Sequence, residues 1–106
     1  MNNFLLVYTG GGMPESEEEQ AAVMQAWGAW FEALGEHLVD GGNPTGPMAK
    51  TIHSDGSVME GPDGKMATGY SMIKAESLDQ AVSLAKGCPM LAGKGNISVY
   101  EIVPAM

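Results

Sequence analysis

A histidine and an aspartate three residues apart are the side chains in this sequence whose types and spacing best fit acid/base chemistry. His37 continues an apolar stripe on a predicted helix, and Asp40 follows on the same helical face. A carboxylate beside an imidazole can hold its tautomer and make the ring a general base. The competing interpretation is that His37 packs, or hydrogen-bonds the free carbonyl groups of the last helical turn. The residues alone leave both interpretations open.

The other candidate ligands and nucleophiles are scattered. His53 stands beside Asp55 at the tip of a predicted hairpin, where a solvated turn pair is expected. Two histidines this far apart, with no close third ligand, do not make a zinc site, so neither a metal nor a cofactor is predicted. Cys88 precedes a proline at a helix end and is predicted to be a small buried hydrophobe rather than a reactive thiolate.

Two tyrosines are candidate ligand contacts. Tyr8 and Tyr70 fall on predicted strands, and on a free sheet face a phenol would offer a hydrogen bond and apolar area together. The larger aromatic side chains Trp27, Trp30 and Phe31 recur at helical spacing and are predicted to be core.

The charge distribution excludes two classes of partner. Residues 1–49 contain seven acids and no lysine or arginine, and the whole chain, of net charge −8, contains no arginine. Nucleic-acid binding needs a basic footprint, and an anionic membrane surface would repel this protein. The longest apolar run, residues 4–8, is too short to span a bilayer, and one cysteine cannot form an internal disulfide. We therefore expect a cytoplasmic protein with no targeting segment and one domain, residues 1–106.

The elements that must position these residues can be traced along the chain. Strands are predicted at 3–9 and 68–75 and, after the second helix, at 96–103; a hairpin of two short strands, 48–53 and 57–60, turns at Asp55-Gly56. Capping boxes begin helices at Ser16 and Ser77. The first helix is predicted to run to Asp40-Gly41, and the second stops at Gly87-Cys88-Pro89. The apolar stripe of the first helix comprises Val23, Met24, Trp27, Trp30, Phe31, Leu34 and Leu38.

The element order predicts an α+β fold, a ferredoxin-like plait with an antiparallel sheet and an added hairpin. Two helices cover one face of such a sheet, yet the first strand is apolar on both faces, with Phe4 and Leu6 on one and Leu5 and Val7 on the other. We therefore expect a homodimer in which two helix-free faces pack together.

The second half of the chain resembles the YCII-related (DGPF-domain) family. The similar segments are the turn Glu60-Gly61-Pro62-Asp63, then Gly69-Tyr70, then residues 77–81, and then Cys88-Pro89. The resemblance implies a dimeric α+β barrel. In some members a histidine near the start of the first helix is thought to act with an aspartate in acid/base chemistry, as in relatives that eliminate chloride. Here residues 13–16, at that helix start, contain no histidine.

Two functions stay open. The first is a small-molecule-binding domain that holds an apolar or aromatic ligand in a cavity at the sheet and dimer interface, with Tyr8, Tyr70 and Glu60 as candidate contacts. The second is a small cofactor-independent lyase or isomerase of the dehydrohalogenase kind, with His37 as base and Asp40 as its orienter. The absence of arginine to hold an anionic substrate favours the first.

Overall fold

The computed structural model describes residues 1–12 and 15–104; residues 13 and 14, part of the predicted start of the first helix, lie outside the described residues. A 3-10 turn (Gly35–His37) follows the first helix. The remaining elements are β1 (Asn2–Gly10), α1 (Glu17–Leu34), β2 (Leu38–Asp40), β3 (Lys50–Ile52), β4 (Val58–Glu60), β5 (Ala67–Ala75), α2 (Leu78–Ala85), α3 (Pro89–Ala92) and β6 (Gly95–Ile102).

The main sheet has four strands in the order β2-β5-β1-β6, and every pair in it is antiparallel. This arrangement confirms the predicted α+β, ferredoxin-like fold with an antiparallel sheet. β3 and β4 form a separate two-stranded hairpin, as predicted from Asp55-Gly56. Asp55 supports that turn by accepting the Ser57 amide at 2.8 Å.

The core lies between the sheet and the helices. Alternate residues of β1 are buried on the helix-covered face, beginning with Phe4 and Leu6, and residues of β5 on the same face, such as Ile73, are equally buried. The core is closed on its helix side by Trp30 and Leu34 of α1 and by Ala81 and Ala85 of α2. Trp30 also donates from Nε1 to the Leu84 carbonyl oxygen at 3.1 Å, which ties α1 to α2.

Both predicted capping boxes form at their serines. The Ser16 hydroxyl accepts the Glu19 amide, and the Ser77 hydroxyl accepts the Gln80 amide, each at 3.1 Å. The predicted stop at Gly87-Cys88-Pro89 is confirmed, and a short helix that was not predicted, α3, begins at Pro89. No helix in the described part of the chain is long and apolar enough to cross a membrane.

Helix α1 ends earlier than the sequence predicted. It stops at Leu34, followed by Gly35 with a positive φ of 55°, and Leu38 lies in a strand opposite Ile73 of β5. The prediction that the helix continues through Leu38 was wrong. Leu38 fits the apolar spacing of a helix, but its pairing with β5 as a strand residue decides its conformation. The stripe was also too long at its start, since Val23 and Met24 are exposed.

Candidate functional site

His37 is half-buried at the edge of the sheet. It lies in the 3-10 turn before β2, and its Nδ1 atom is 2.8 Å from the Lys74 carbonyl oxygen. A carbonyl oxygen can only accept, so Nδ1 carries the hydrogen. In the neutral ring, Nε2 then has a free lone pair, which is the arrangement that a general base requires.

Asp40 makes a different contact. Its Oδ1 atom accepts the Gly42 amide at 2.8 Å and stabilises the turn that follows β2. Among the residues that the structure describes, no hydrogen bond or ion pair joins Asp40 to His37. The pair expected on one helical face is divided between a 3-10 turn and a strand, and the Lys74 carbonyl occupies the place at Nδ1 that the carboxylate was expected to take.

A chain of hydroxyl groups crosses the core beneath α1. The Tyr8 hydroxyl donates to Ser71 Oγ at 2.7 Å, and Ser71 Oγ donates to the Gly41 carbonyl oxygen at 2.7 Å. Ser71 is the fully buried polar side chain that makes this chain possible. The hydrogen bonds satisfy both hydroxyl groups, so the tyrosine can be buried without an unpaired donor.

Burial controls the acidity of this cluster. Loss of solvent raises the pKa of Tyr8 far above its ordinary value, because the charged phenolate would lose its hydration in the core. Burial likewise raises the pKa of the adjacent Cys88 thiol, although a hydrogen bond from the Met90 backbone acts in the opposite direction. Both groups are therefore neutral near pH 7, and the expectation that Cys88 is a buried thiol is confirmed.

Aromatic rings of α1 cover Tyr8. Trp27 meets the Tyr8 ring edge-on with centroids 5.4 Å apart, and Trp30 and Phe31 continue the cluster at 5.8 and 5.7 Å from Trp27. Tyr8 itself is only 4% exposed. The aromatic side chains of α1 are thus core packing around a buried phenol.

Tyr70 lies on the opposite face of the sheet from Tyr8. In the β1–β5 register, Val7 faces Tyr70 and Tyr8 faces Gly69. The expectation that both tyrosines border the helix-free face is therefore wrong for Tyr8, because strand alternation turns it into the core. The Tyr70 hydroxyl oxygen accepts from Asn43 Nδ2 at 3.4 Å, so the phenolic hydrogen is available to another acceptor.

The helix-free face has an apolar centre and one basic side chain near its end. Leu5 and Met72 lie opposite each other, Tyr100 flanks Leu5 on β6, and Val7 adjoins Tyr70. Lys74 follows Met72 on this face at the next same-face position of β5 and is half-buried. Among the described residues, Lys50 and Glu60 form the ion pair, and Lys74 has no carboxylate partner.

Glu60 belongs to the separate two-stranded hairpin and not to the main sheet. It ends β4 and pairs with Lys50 of β3, with Nζ and Oε1 3.3 Å apart and both side chains exposed. The two residues border an open groove of about 330 Å³ beside Pro47 and Met48. Glu60 therefore borders this hairpin groove and is not part of the main sheet.

The described residues offer no cluster of three histidine, cysteine or acidic side chains placed to hold a metal ion. Sequence reasoning missed Ser71 and Lys74. Strand alternation is the one sequence signal that could have placed Lys74 on the same sheet face as Tyr70. The role of Ser71 could not be predicted from the sequence, because it depends on contacts with β1 and with Gly41.

The fold is also found in a known enzyme. It resembles the solved structure of 5-chloro-2-hydroxyhydroquinone dehydrochlorinase from Burkholderia phenoliruptrix AC1100 in complex with 2,5-dihydroxybenzoquinone, with a TM-score of 0.55 and 19% identity. The similarity covers 96% of this chain and 95% of the enzyme. At this identity the likeness shows the fold alone. Among curated proteins, none matches the chain.

A second comparison covers nearly the same length. The family model of the YCII-related domain matches residues 4–106. The match includes every strand of the main sheet apart from the first residues of β1, together with all the helices and the hairpin. The protein therefore belongs to the family of YCII-related domains.

Proposed function

We propose that this protein binds a small aromatic ligand on the helix-free face of its sheet. The observation that carries the proposal is the combination on that face of an apolar centre, Leu5 with Met72 and Tyr100, and two polar groups with unused capacity. Ligand sites characteristically join apolar area to a few polar groups that fix orientation. A second copy of the chain, packed against this face, would turn it into an enclosed cavity.

The two polar groups suggest the chemistry of the ligand. The Tyr70 hydroxyl can donate to a ligand oxygen, and the unpaired Lys74 ammonium can meet an acidic hydroxyl or carboxylate. They are four positions apart on β5, roughly 13 Å between Cα atoms. A substituted aromatic ring with oxygen atoms at opposite ends can lie between them over Met72. A hydroxylated quinone, the class of compound bound to the dehydrochlorinase of similar fold, has this character.

Calorimetric titration tests this proposal, with 2,5-dihydroxybenzoquinone as the first probe. Lys74→Met removes a charged hydrogen bond, so we expect the affinity for the probe to fall about 10- to 100-fold. Tyr70→Phe removes a neutral hydrogen bond, so we expect the affinity to fall about 2- to 10-fold. The control is Lys50→Met, which removes an exposed lysine on the separate hairpin. Equal affinities of the Lys74→Met and Lys50→Met variants would rule out the proposed site.

The alternative is a lyase or isomerase of the dehydrohalogenase kind, in which His37 acts as base with Asp40 as its orienter. One observation favours a role for the histidine: its Nδ1 atom is held by the Lys74 carbonyl oxygen, which leaves Nε2 free in the neutral ring. That carbonyl can orient the ring in place of Asp40, whose carboxylate is committed to the Gly42 amide. Chloride release from a chlorinated hydroquinone is the measurement that separates this alternative from binding alone.

A further inference from the structure

The segment that follows β2 lies against the edge of β5. The Tyr70 amide donates to the Asn43 carbonyl oxygen at 3.2 Å. Two residues further along the segment, the Thr45 amide donates to the Thr68 carbonyl oxygen at 3.0 Å. These hydrogen bonds continue the pairing of β2 with β5 and fix the backbone of Asn43 beside Tyr70.

A glycine on β5 allows this close approach. A Cβ atom added at Gly69 would lie 3.2 Å from the Asn43 carbonyl oxygen and 3.3 Å from Pro44 Cα, tighter than ordinary van der Waals contact. The bare backbone of Gly69 therefore lets the segment pair directly with β5, through an antiparallel bridge between Pro44 and Gly69. A paired backbone thus sets the position from which the Asn43 side chain extends.

The Asn43 side chain meets the phenol on the helix-free face. Its Nδ2 atom donates to the Tyr70 hydroxyl oxygen at 3.4 Å. A phenol oxygen is conjugated with its ring, so it has one strong acceptor position in the ring plane in addition to its own hydrogen. Asn43 occupies that acceptor position. The hydroxyl hydrogen is then the group that Tyr70 offers to a ligand.

The second polar group of the proposed site also donates. The Lys74 ammonium has three hydrogens and no lone pair. Lys74 and Tyr70 lie on one strand and on one face of the sheet. A ligand that spans them therefore meets hydrogen-bond donors at both ends.

We infer that Asn43 is a positioning residue that makes the proposed site selective for the quinone form of a hydroxylated ring over its hydroquinone form. The carbonyl and ionised oxygens of a quinone accept from both Tyr70 and Lys74. The hydroxyl groups of a hydroquinone carry hydrogens that neither group accepts while Asn43 holds the phenol oxygen. This inference rests on the proposed function and adds to it the oxidation state of the ligand.

A pair of probes with one carbon skeleton tests the inference. In 2,5-dihydroxybenzoquinone the hydroxyl groups are vinylogous acids that are ionised at neutral pH, so every ring oxygen accepts hydrogen bonds. Its two-electron reduction product, 1,2,4,5-tetrahydroxybenzene, has the same oxygen positions, but each oxygen carries a hydrogen. Calorimetric titrations of both probes under argon, which prevents oxidation of the reduced ring by air, give the ratio of the two affinities. We expect the wild type to bind the quinone at least about 10-fold more tightly.

Asn43→Leu isolates the role of the amide, because leucine has a similar branched shape and keeps the backbone carbonyl that accepts the Tyr70 amide. Without the amide donor, the Tyr70 hydroxyl can accept a ligand hydrogen. The affinity for the hydroquinone should therefore rise about 3-fold or more, while the affinity for the quinone should change by less than about 2-fold. Damage to the fold would instead weaken the binding of both probes. Asn96→Leu, on β6 two strands from β5, is the matched control and should leave the ratio unchanged.

A double-mutant cycle shows whether Asn43 acts through Tyr70. In the Tyr70→Phe background, Asn43→Leu should change neither affinity by more than about 2-fold. Equal affinities of the wild type for the two probes, or an Asn43→Leu variant with the wild-type ratio, would overturn the inference. The proposed site would survive that result if Lys74→Met still weakens quinone binding relative to Lys50→Met. If those two lysine variants bind the quinone equally, the proposed site is wrong and the inference fails with it.

Discussion

Tyr8 places a phenol in the core, where it donates to Ser71 instead of water. Desolvation raises the pKa of Tyr8 above its ordinary 10.0 and the pKa of Cys88 above its ordinary 9.0. As the pH rises, the unfolded chain therefore loses these two protons before the folded protein does. The stability that the neutral groups provide is fully present below about pH 9 and is lost at higher pH, by at most about 1.4 kcal/mol per pH unit for each group.

We predict that Tyr8→Phe makes the protein less sensitive to alkaline pH. At pH 7 the variant should lose about 1 kcal/mol of unfolding free energy, because the hydrogen bond to Ser71 is gone. Between about pH 9.5 and 11 its stability should fall less steeply than that of the wild type, since one proton is no longer released on unfolding. Urea melts across this range measure both effects. Tyr100→Phe, at an exposed tyrosine, is the control, and identical slopes for wild type and Tyr8→Phe would contradict the prediction.

His37 provides a prediction that separates its structural role from a chemical one. Its Nδ1–H donates to the Lys74 carbonyl oxygen beside the short strand β2. His37→Leu leaves that carbonyl without a donor and should cost about 1–3 kcal/mol, whereas the amide of His37→Gln can replace the donor at a cost of less than about 1 kcal/mol. Chemical denaturation of the two variants measures the difference.

The His37→Gln protein then tests the enzyme alternative, because glutamine keeps a donor but has no basic nitrogen. If the wild type releases chloride from a chlorinated hydroquinone, the reaction should be lost in this folded variant. A variant that still turns over would exclude His37 as the base.

Individual residues differed in how well the sequence predicted them. The hydroxyl caps at Ser16 and Ser77 were predictable because a capping box is a local pattern that needs no tertiary partner. The orientation of Tyr8 was not, since β1 is apolar on both faces and its alternation alone does not say which face the helices cover. The roles of Asp40 and His37 also depended on where α1 ends, which a three-residue spacing cannot determine.

At the scale of elements, the turn after β2 depends on a glycine. Gly42 has a φ of 74°, and a Cβ atom added there would collide with the Tyr70 carbonyl group of β5. We predict that Gly42→Ala lowers the unfolding free energy by about 2–4 kcal/mol, because the turn must move away from β5 or adopt a strained conformation.

The control for this prediction is Gly46→Ala in the same connecting segment, where an added Cβ meets nothing and φ is not positive. This variant should change stability by less than about 1 kcal/mol, in either direction. Equal denaturation midpoints for the two variants would show that the segment does not press on β5 as described.

The end of α1 shows why element boundaries are harder to predict than element order. The apolar spacing from Trp27 through Leu34 continues to Leu38, so period alone favours one long helix. The chain instead leaves the helix at Gly35 and forms β2 against β5. A three-residue strand carries almost no pattern of its own, and only its partner determines it. The element order βα, hairpin, βαβ was nonetheless readable, because each long element has its own caps and turns.

At the scale of the whole molecule, the two faces of the sheet differ, because helices cover one face and not the other. Helices bury the face that carries Phe4 and Leu6, while Leu5 and Val7 on the other face are only half-buried. A sheet apolar on both faces gains most when both are covered. The dimer expected from the sequence, with two helix-free faces packed together, therefore stays a prediction that suits this distribution of apolar area.

Charging the helix-free face tests that prediction directly. Val7→Glu puts a carboxylate in the centre of the helix-free face, where two copies would bring like charges together in a desolvated interface. We expect this variant to sediment at half the mass of the wild type at 50 µM. Val58→Glu, on the exposed hairpin strand β4, is the control and should leave the mass unchanged. A wild type and a Val7→Glu variant of equal mass, with melts showing both folded, would mean that the helix-free face does not join two copies.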